Sequence, residues 1–276
     1  MSTWATPAAS PMIRVMSVVM ALVLTGLAAG AGPALALEST EPPPPKSAPV
    51  MRVTEESLPR AGGIMVFGGT RGAGLEVVKA LIARNEKVTV LVRASSDTTA
   101  LKALDIAIVT GDALDPESLK QAFTTAPFRA AISLLGGHDG DYRVDAEGNK
   151  NAVDATKGAG VPRLILVTAV GTGDSAADAP WVVRYFLKDY YAAKTVAEEY
   201  LRASDLDYTI IRPGLLLDSA KSGEAALIAG KLSFGGITRA DLGKLVAGVI
   251  EDQASFKKVF TAFDAKRGGL WSILTY

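Results

Sequence analysis

The residues in this chain of 276 best suited to chemistry form a glycine-rich turn, Gly68-Gly-Thr-Arg-Gly-Ala-Gly74. Residues 64–67 before it are apolar and β-prone, and Leu75, Val77, Val78 and Leu81 after it recur at helical spacing. A strand that feeds a glycine turn and then a helix leaves bare backbone N–H groups at the positive end of a helix dipole. That arrangement suits a pyrophosphate. The second informative residue is Arg93, at the end of the next apolar stretch, residues 87–92. An acidic residue there would accept hydrogen bonds from the adenosine ribose. An arginine instead pairs with a 2′-phosphate through charge-assisted hydrogen bonds. Arg71, inside the turn, adds a second positive charge. The expected cofactor is NADP(H) rather than NAD(H); the alternative is that both arginines are merely solvated.

Such a turn has to be held by a sheet. Apolar, β-prone runs fall at residues 64–67, 87–92, 106–110, 130–135, 164–168, 208–212 and 258–263. Helical patterns alternate with them, at residues 75–81, 101–104, 116–123, 144–158, 185–203 and 238–251. Pro116 takes a favourable first-turn position, and Thr238-Arg-Ala-Asp241 opens a helix in the manner of a capping box. Alternating strands and helices predict an α/β fold, a Rossmann-type doubly wound parallel sheet with ligands at the carboxyl ends of its strands. Residues 215–236 are weakly patterned and are expected to form a small cap on the substrate side.

Composition narrows the function further. Lys+Arg equals Asp+Glu at 29 each, which gives no support for a nucleic-acid partner. The absence of cysteine excludes disulfides, thiolate catalysis and Cys-ligated metal. The single histidine, His138, cannot build a multi-histidine metal site and reads as a loop residue. Before Glu38 the only charge is Arg14, ahead of an apolar run at residues 15–27 and the small-residue site Ala34-Leu35-Ala36. Residues 1–36 therefore read as a secretory signal peptide, which would export the domain. The alternative is an uncleaved anchor, since residues 15–37 are long enough to span a bilayer. Residues 37–60, with four consecutive prolines, read as an extended linker. The folded unit is expected to be one domain, residues 61–276.

Taken in order, several motifs make the chain resemble a family. They are the glycine turn, Gly111-Asp-Ala-Leu-Asp115, Asp145-Ala-Glu-Gly-Asn-Lys-Asn-Ala-Val-Asp-Ala155, Lys194 with Ala197-Glu198, Asp207-Tyr-Thr-Ile-Ile-Arg-Pro-Gly214 and Thr238-Arg-Ala-Asp241. The chain resembles the atypical short-chain dehydrogenase/reductases of the NmrA-like, NAD(P)H-binding group from Gly63 to about Asp264. The resemblance implies that Gly68, Thr70, Gly72, Ala73 and Gly74 wrap the pyrophosphate, with Arg71 and Arg93 near the 2′-phosphate. It places Asp112 and Ala113 at the adenine, and Leu134, Leu135 and Gly136 beside the ribose. Thr168, Pro213 and Gly214 would stand near the nicotinamide, with Lys194 bonded to its ribose.

Catalysis rests on Tyr190-Tyr-Ala-Ala-Lys194, which matches the Tyr-x-x-x-Lys spacing of catalytic short-chain reductases. On a helix, residues i and i+4 share a face, so Lys194 would sit beside Tyr190, lower its pKa and make it a proton donor. Thr168 would polarise a carbonyl where related enzymes use serine. The alternative is that this aromatic face only packs. Two functions stay open: an NADP(H)-dependent reductase of a small carbonyl-like substrate, and a non-catalytic NADP-binding sensor or assembly factor acting on a protein partner. Neither the substrate nor the oligomeric state is encoded in a motif.

Overall fold

The computed structural model describes residues 50–51, 61–137, 140–230 and 235–264. Its strands are β1 (Val50–Met51), β2 (Gly63–Phe67), β3 (Val88–Val92), β4 (Ala107–Thr110), β5 (Phe128–Ser133), β6 (Arg163–Val167), β7 (Asp207–Pro213), β8 (Leu215–Leu217), β9 (Ala225–Ile228), β10 (Gly236–Thr238) and β11 (Lys258–Asp264). Its helices are α1 (Gly72–Ile82), α2 (Thr99–Lys102), α3 (Pro116–Ala122), α4 (Asn149–Gly158), α5 (Trp181–Phe186), α6 (Lys188–Arg202) and α7 (Arg239–Gly248).

Nine strands form the main sheet, in the order β1-β9-β11-β7-β6-β5-β2-β3-β4. From β4 through β11 every neighbouring pair is parallel. The chain runs outward from β2 to β4, then returns to β5 on the other side of β2. The order thus reverses between β2 and β5, where a doubly wound sheet opens its crevice.

Alternation within the strands shows why the sheet is covered twice. Ile64 and Val66 of β2 enter one core with Val77, Val78 and Leu81 of α1, while Met65 and Phe67 enter the other with Leu119 and Leu201. Residues i and i+2 of a strand share a face, so an all-apolar strand needs helices on both sides. The first core is closed by α7. A Cβ at Gly243 would lie 2.6 Å from the Glu76 carbonyl oxygen on α1, so the two helices touch backbone to backbone. At the amino ends of the strands, buried Arg163 donates to the carbonyls of Ile250, Asp207 and Val249 and stacks on Phe256, with its centre 4.4 Å from the ring centroid. Burial draws this guanidinium down to about 10.

Three expectations need correction. The helix expected over residues 185–203 is two helices, because Leu187 leaves helical geometry at φ −109° and ψ 22°. The fourth strand stops at Ser133, leaving Leu134 and Leu135 in the loop beyond it. Not all of residues 215–236 forms a cap: β9 joins the main sheet antiparallel to β11, and β8 pairs with β10. Short apolar stretches such as Ala225–Ile228 carry too little periodicity to announce which sheet they will enter. Among the described residues no helix is long and apolar enough to cross a membrane. The segment expected to be a signal peptide or anchor, most of the linker and His138 lie outside the described residues.

Candidate dinucleotide and substrate site

Parallel strands bring the expected site residues to one rim. The glycine turn follows β2, Arg93 follows β3, Asp112 and Ala113 follow β4, and Leu134, Leu135 and Gly136 follow β5. Thr168 follows β6, Pro213 ends β7, and Tyr190 and Lys194 are on α6.

The turn is built for a close backbone approach. Gly68 has φ +81°, and a Cβ there would lie 2.7 Å from the Leu134 carbonyl oxygen. A Cβ at Gly74 would lie 2.0 Å from the carbonyl oxygen of Gly68. A side chain at either position would collide with the backbone that shapes the turn. The first turn of α1 has no side-chain cap and no acidic residue, so its N–H groups and dipole are left for an anion. These features fit a pyrophosphate. Arg71 and Arg93 are exposed, and among the described residues neither has an ion-pair partner. Ala113 is fixed from behind: its carbonyl accepts from Asn151 Nδ2 at 2.9 Å. Asp112 accepts from the Leu114 N–H at 2.9 Å in a local turn.

Lys194 has partners that no local pattern announces. Its Nζ lies 2.9 Å from Asp145 Oδ1 and donates to the Leu135 carbonyl at 3.3 Å. Asp145 is fully buried and Lys194 only 5% exposed. Asp145 also accepts from the Gly137 N–H at 2.6 Å. It sits in a single π-helical turn, Val144–Gly148, which opens α4. Such wide turns often mark functional positions in helices. The turn is anchored in series: Ser133 Oγ donates to Asn149 Oδ1 at 2.6 Å, and Asn149 Nδ2 donates to the Asp145 carbonyl at 2.8 Å. Burial alone would pull the Lys194 ammonium down, but Tyr190 and Asp145 reverse the sign and hold it above the ordinary lysine value.

The expected Tyr190–Lys194 chemistry is corrected in part. Lys194 Nζ lies over the Tyr190 ring, 5.3 Å from its centroid, and the ring stacks edgewise on Tyr142 at 5.7 Å. Burial raises the Tyr190 pKa; Lys194 opposes the rise, while Asp145 and Tyr142 add to it. The lysine therefore does not turn Tyr190 into a ready phenolate: its charge is shared with Asp145, and desolvation of the phenol outweighs it. Tyr190 stays a neutral phenol at physiological pH. It can donate a proton but is a weaker acid than the spacing implied.

Thr168 is committed elsewhere. Its Oγ1 donates to Glu198 Oε1 at 2.6 Å, so the same proton cannot polarise a carbonyl. Glu198 in turn receives Arg212 at 2.9 and 2.5 Å, and Arg212 reaches Asp174 at 2.7 Å. Buried Arg212 and Glu198 fasten β7 to α6 and fix the loop before α5. Asp145, Glu198, Arg212 and Tyr142 are the site residues that sequence reasoning missed. The first three stand inside motifs already singled out, but nothing in the local pattern marks them as buried.

A parallel sheet in this order, with a glycine cradle at its switch point, defines a dinucleotide-binding Rossmann protein. The family model described as NAD(P)H-binding matches residues 68–253, and the chain belongs to that family of atypical short-chain dehydrogenase/reductases. Among solved structures it is similar to ChuY, an anaerobilin reductase from Escherichia coli O157:H7. That likeness is 28% identical, covers 75% of this chain and 99% of ChuY, and has a TM-score of 0.66. The maize divinyl chlorophyllide a 8-vinyl-reductase is 27% identical over 83% of this chain and 61% of its own. An uncharacterized sugar epimerase of Bacillus subtilis, YhfK, is 34% identical over 48% of this chain. The chain spans about 59% of that last relative's length.

Proposed function

We propose that this protein is an NADP(H)-dependent reductase that delivers a hydride to a conjugated, carbonyl-like organic substrate. The observation that carries the reading is Lys194, buried and kept charged by Asp145 between α6 and the loop after β5. Arg71 and Arg93, exposed at the rim, favour NADP(H) over NAD(H) by charge. Gly68, Gly72 and Gly74 would hold the pyrophosphate, and Lys194 would donate to a ribose hydroxyl. When bound, the nicotinamide supplies a hydride. The chain's own residues orient it and manage protons. Asp145 keeps Lys194 in one geometry, Tyr190 offers a neutral phenol proton to the reduced substrate, and Glu198 with Arg212 keeps Thr168 and the loop before α5 in place.

The reductase names carried by ChuY and the maize relative support the class of reaction. Consumption of NADPH over a panel of aldehydes, ketones, quinones and linear or cyclic tetrapyrroles tests it, with Tyr190→Phe and Lys194→Ala as controls. Turnover lost in Lys194→Ala is the expected result. Tight NADPH binding with no turnover on any substrate would overturn it. That outcome would favour the second reading, a non-catalytic NADP-binding sensor, which draws on Thr168 being bonded to Glu198 and on the raised pKa of Tyr190. We also propose that residues 1–36 export the domain or anchor it to a membrane.

A further inference from the structure

The glycine turn has a neighbour from the far end of the chain. Arg239 is the first residue of α7, and a Cβ at Gly72 would lie 3.6 Å from its Nε and 3.8 Å from its Cδ. The backbone contact of Gly243 with Glu76 holds α7 against α1 and so fixes this approach. Arg239 Nη1 is itself buried and ion-pairs with Asp218, just beyond β8. The Asp218 side chain is 82% exposed, against 27% for Arg239. The same segment is tied down a second time: the Ser222 N–H donates to Asp241 Oδ2 at 2.8 Å, and Thr238 Oγ1 donates to the same carboxylate at 2.8 Å.

These facts describe a fixed cation with an exchangeable partner. The guanidinium is positioned by helix packing, faces a glycine that presents no side chain, and stands beside the uncapped N-terminus of α1. Its present partner is a carboxylate in water, and an exposed carboxylate holds a cation weakly. A phosphate oxygen offers the guanidinium the same two-pronged geometry with more charge, and also reaches the N–H groups of α1. We propose that Arg239 is a pyrophosphate ligand of the bound dinucleotide, and that Asp218 is the place-holder that the pyrophosphate displaces. The proposal rests on the reading of the chain as an NADP(H)-binding protein. It adds a cation delivered by α7 to the two carried by the β2–α1 and β3 loops.

Binding titrations on the full chain test it with three probes. NADPH carries both the pyrophosphate and the 2′-phosphate, NADH lacks the 2′-phosphate, and adenosine 2′-monophosphate lacks the pyrophosphate. Arg239→Gln is expected to weaken NADPH and NADH alike, by about tenfold or more, and to leave adenosine 2′-monophosphate unchanged. Arg239→Lys is expected to fall between Arg239→Gln and wild type. Unchanged NADPH affinity in Arg239→Gln overturns the proposal, and so does a loss confined to NADPH and adenosine 2′-monophosphate. Asp218→Asn keeps every residue of α7 and removes only the charge paired with Arg239, which gives an independent arm. Tighter NADPH binding supports the exchange, and unchanged or weaker binding overturns it. A wild-type chain that binds no dinucleotide removes the cofactor reading and this proposal together, which separates the two failures.

Discussion

Asp145→Asn isolates the buried ion pair on which the proposed function rests. Asparagine keeps the volume and an acceptor for the Gly137 N–H but removes the charge that balances Lys194, 2.9 Å away. Stripping one partner from a buried ion pair costs about 3–5 kcal/mol. For a domain of this size that lowers Tm by roughly 6–20 °C. The sign of the pH dependence also reverses. In the wild type the Lys194 pKa is raised above its ordinary 10.5, so its stabilisation is fully present below that value and is lost only as pH rises through the raised pKa. In the variant Tyr190 and Glu198 still oppose burial at Lys194, but with both the charge and the hydrogen bond of Asp145 gone, burial is expected to prevail and draw the pKa down. The folded state then binds fewer protons than the unfolded chain, so stability climbs with pH below the ordinary lysine value, by up to about 1.4 kcal/mol per unit. Denaturant titrations from neutral to alkaline pH read this directly, with the melting temperature of the folded chain as a check. Adding Lys194→Met to Asp145→Asn is expected to recover much of the loss, because a neutral pair leaves no stranded charge. A single variant as stable as wild type at neutral pH, with a flat pH profile, would refute the buried-pair reasoning.

Three further outcomes are expected. Gly68→Ala, with φ +81° and a Cβ 2.7 Å from the Leu134 carbonyl, should weaken NADPH binding by about tenfold or more. Gly160→Ala, also left-handed at φ +68° but with nothing within 4 Å, should cost stability alone, and equal affinities in the two variants would count against the cradle. Arg93→Asp should lower affinity for NADPH and spare NADH, and an unchanged preference between them would remove Arg93 from the 2′-phosphate. Because the Tyr190 pKa is raised above 10.0, its phenol favours the fold below that pH, and the contribution is lost as pH rises through the higher value. The pKa values of Tyr142, Tyr191 and Tyr200 are raised as well, so an ultraviolet difference titration should show a late-titrating group of tyrosines that loses one member in Tyr190→Phe; normal titration of every tyrosine would contradict the burial argument.

The glycine turn and the sheet that carries it were legible because their constraints are local. A positive-φ Gly68, a Gly74 that presses on Gly68, and strands that alternate between two cores leave marks within a dozen residues of one another. The rim order also followed, since parallel strands must align their carboxyl ends. The buried polar network around α6 is made by pairs that chain distance hides. Asp145 meets Lys194, Thr168 meets Glu198, and Arg212 meets Asp174, and no periodicity links their positions. The Tyr190–Lys194 spacing was read correctly as one helix face. What it could not reveal was a third group, Asp145, competing for the lysine's charge. Likewise Thr238 and Asp241 announced the start of α7, but only tertiary packing shows where Arg239 lies.

The glycine at position 243 also has a meaning in time. The turn after β2 is made early in synthesis, yet part of the apolar surface of α1 is covered only when Leu242, Leu245 and Val246 arrive from α7. A chain that emerges from its N-terminus first must hold that apolar surface uncovered while most of the domain is still being made. Closure then joins elements far apart in sequence, the slow kind of contact in folding. The dinucleotide cradle is thus among the first parts of this domain to be written and among the last to be sealed. A bound pyrophosphate bridging α1 and Arg239 would act as a clasp on that final step.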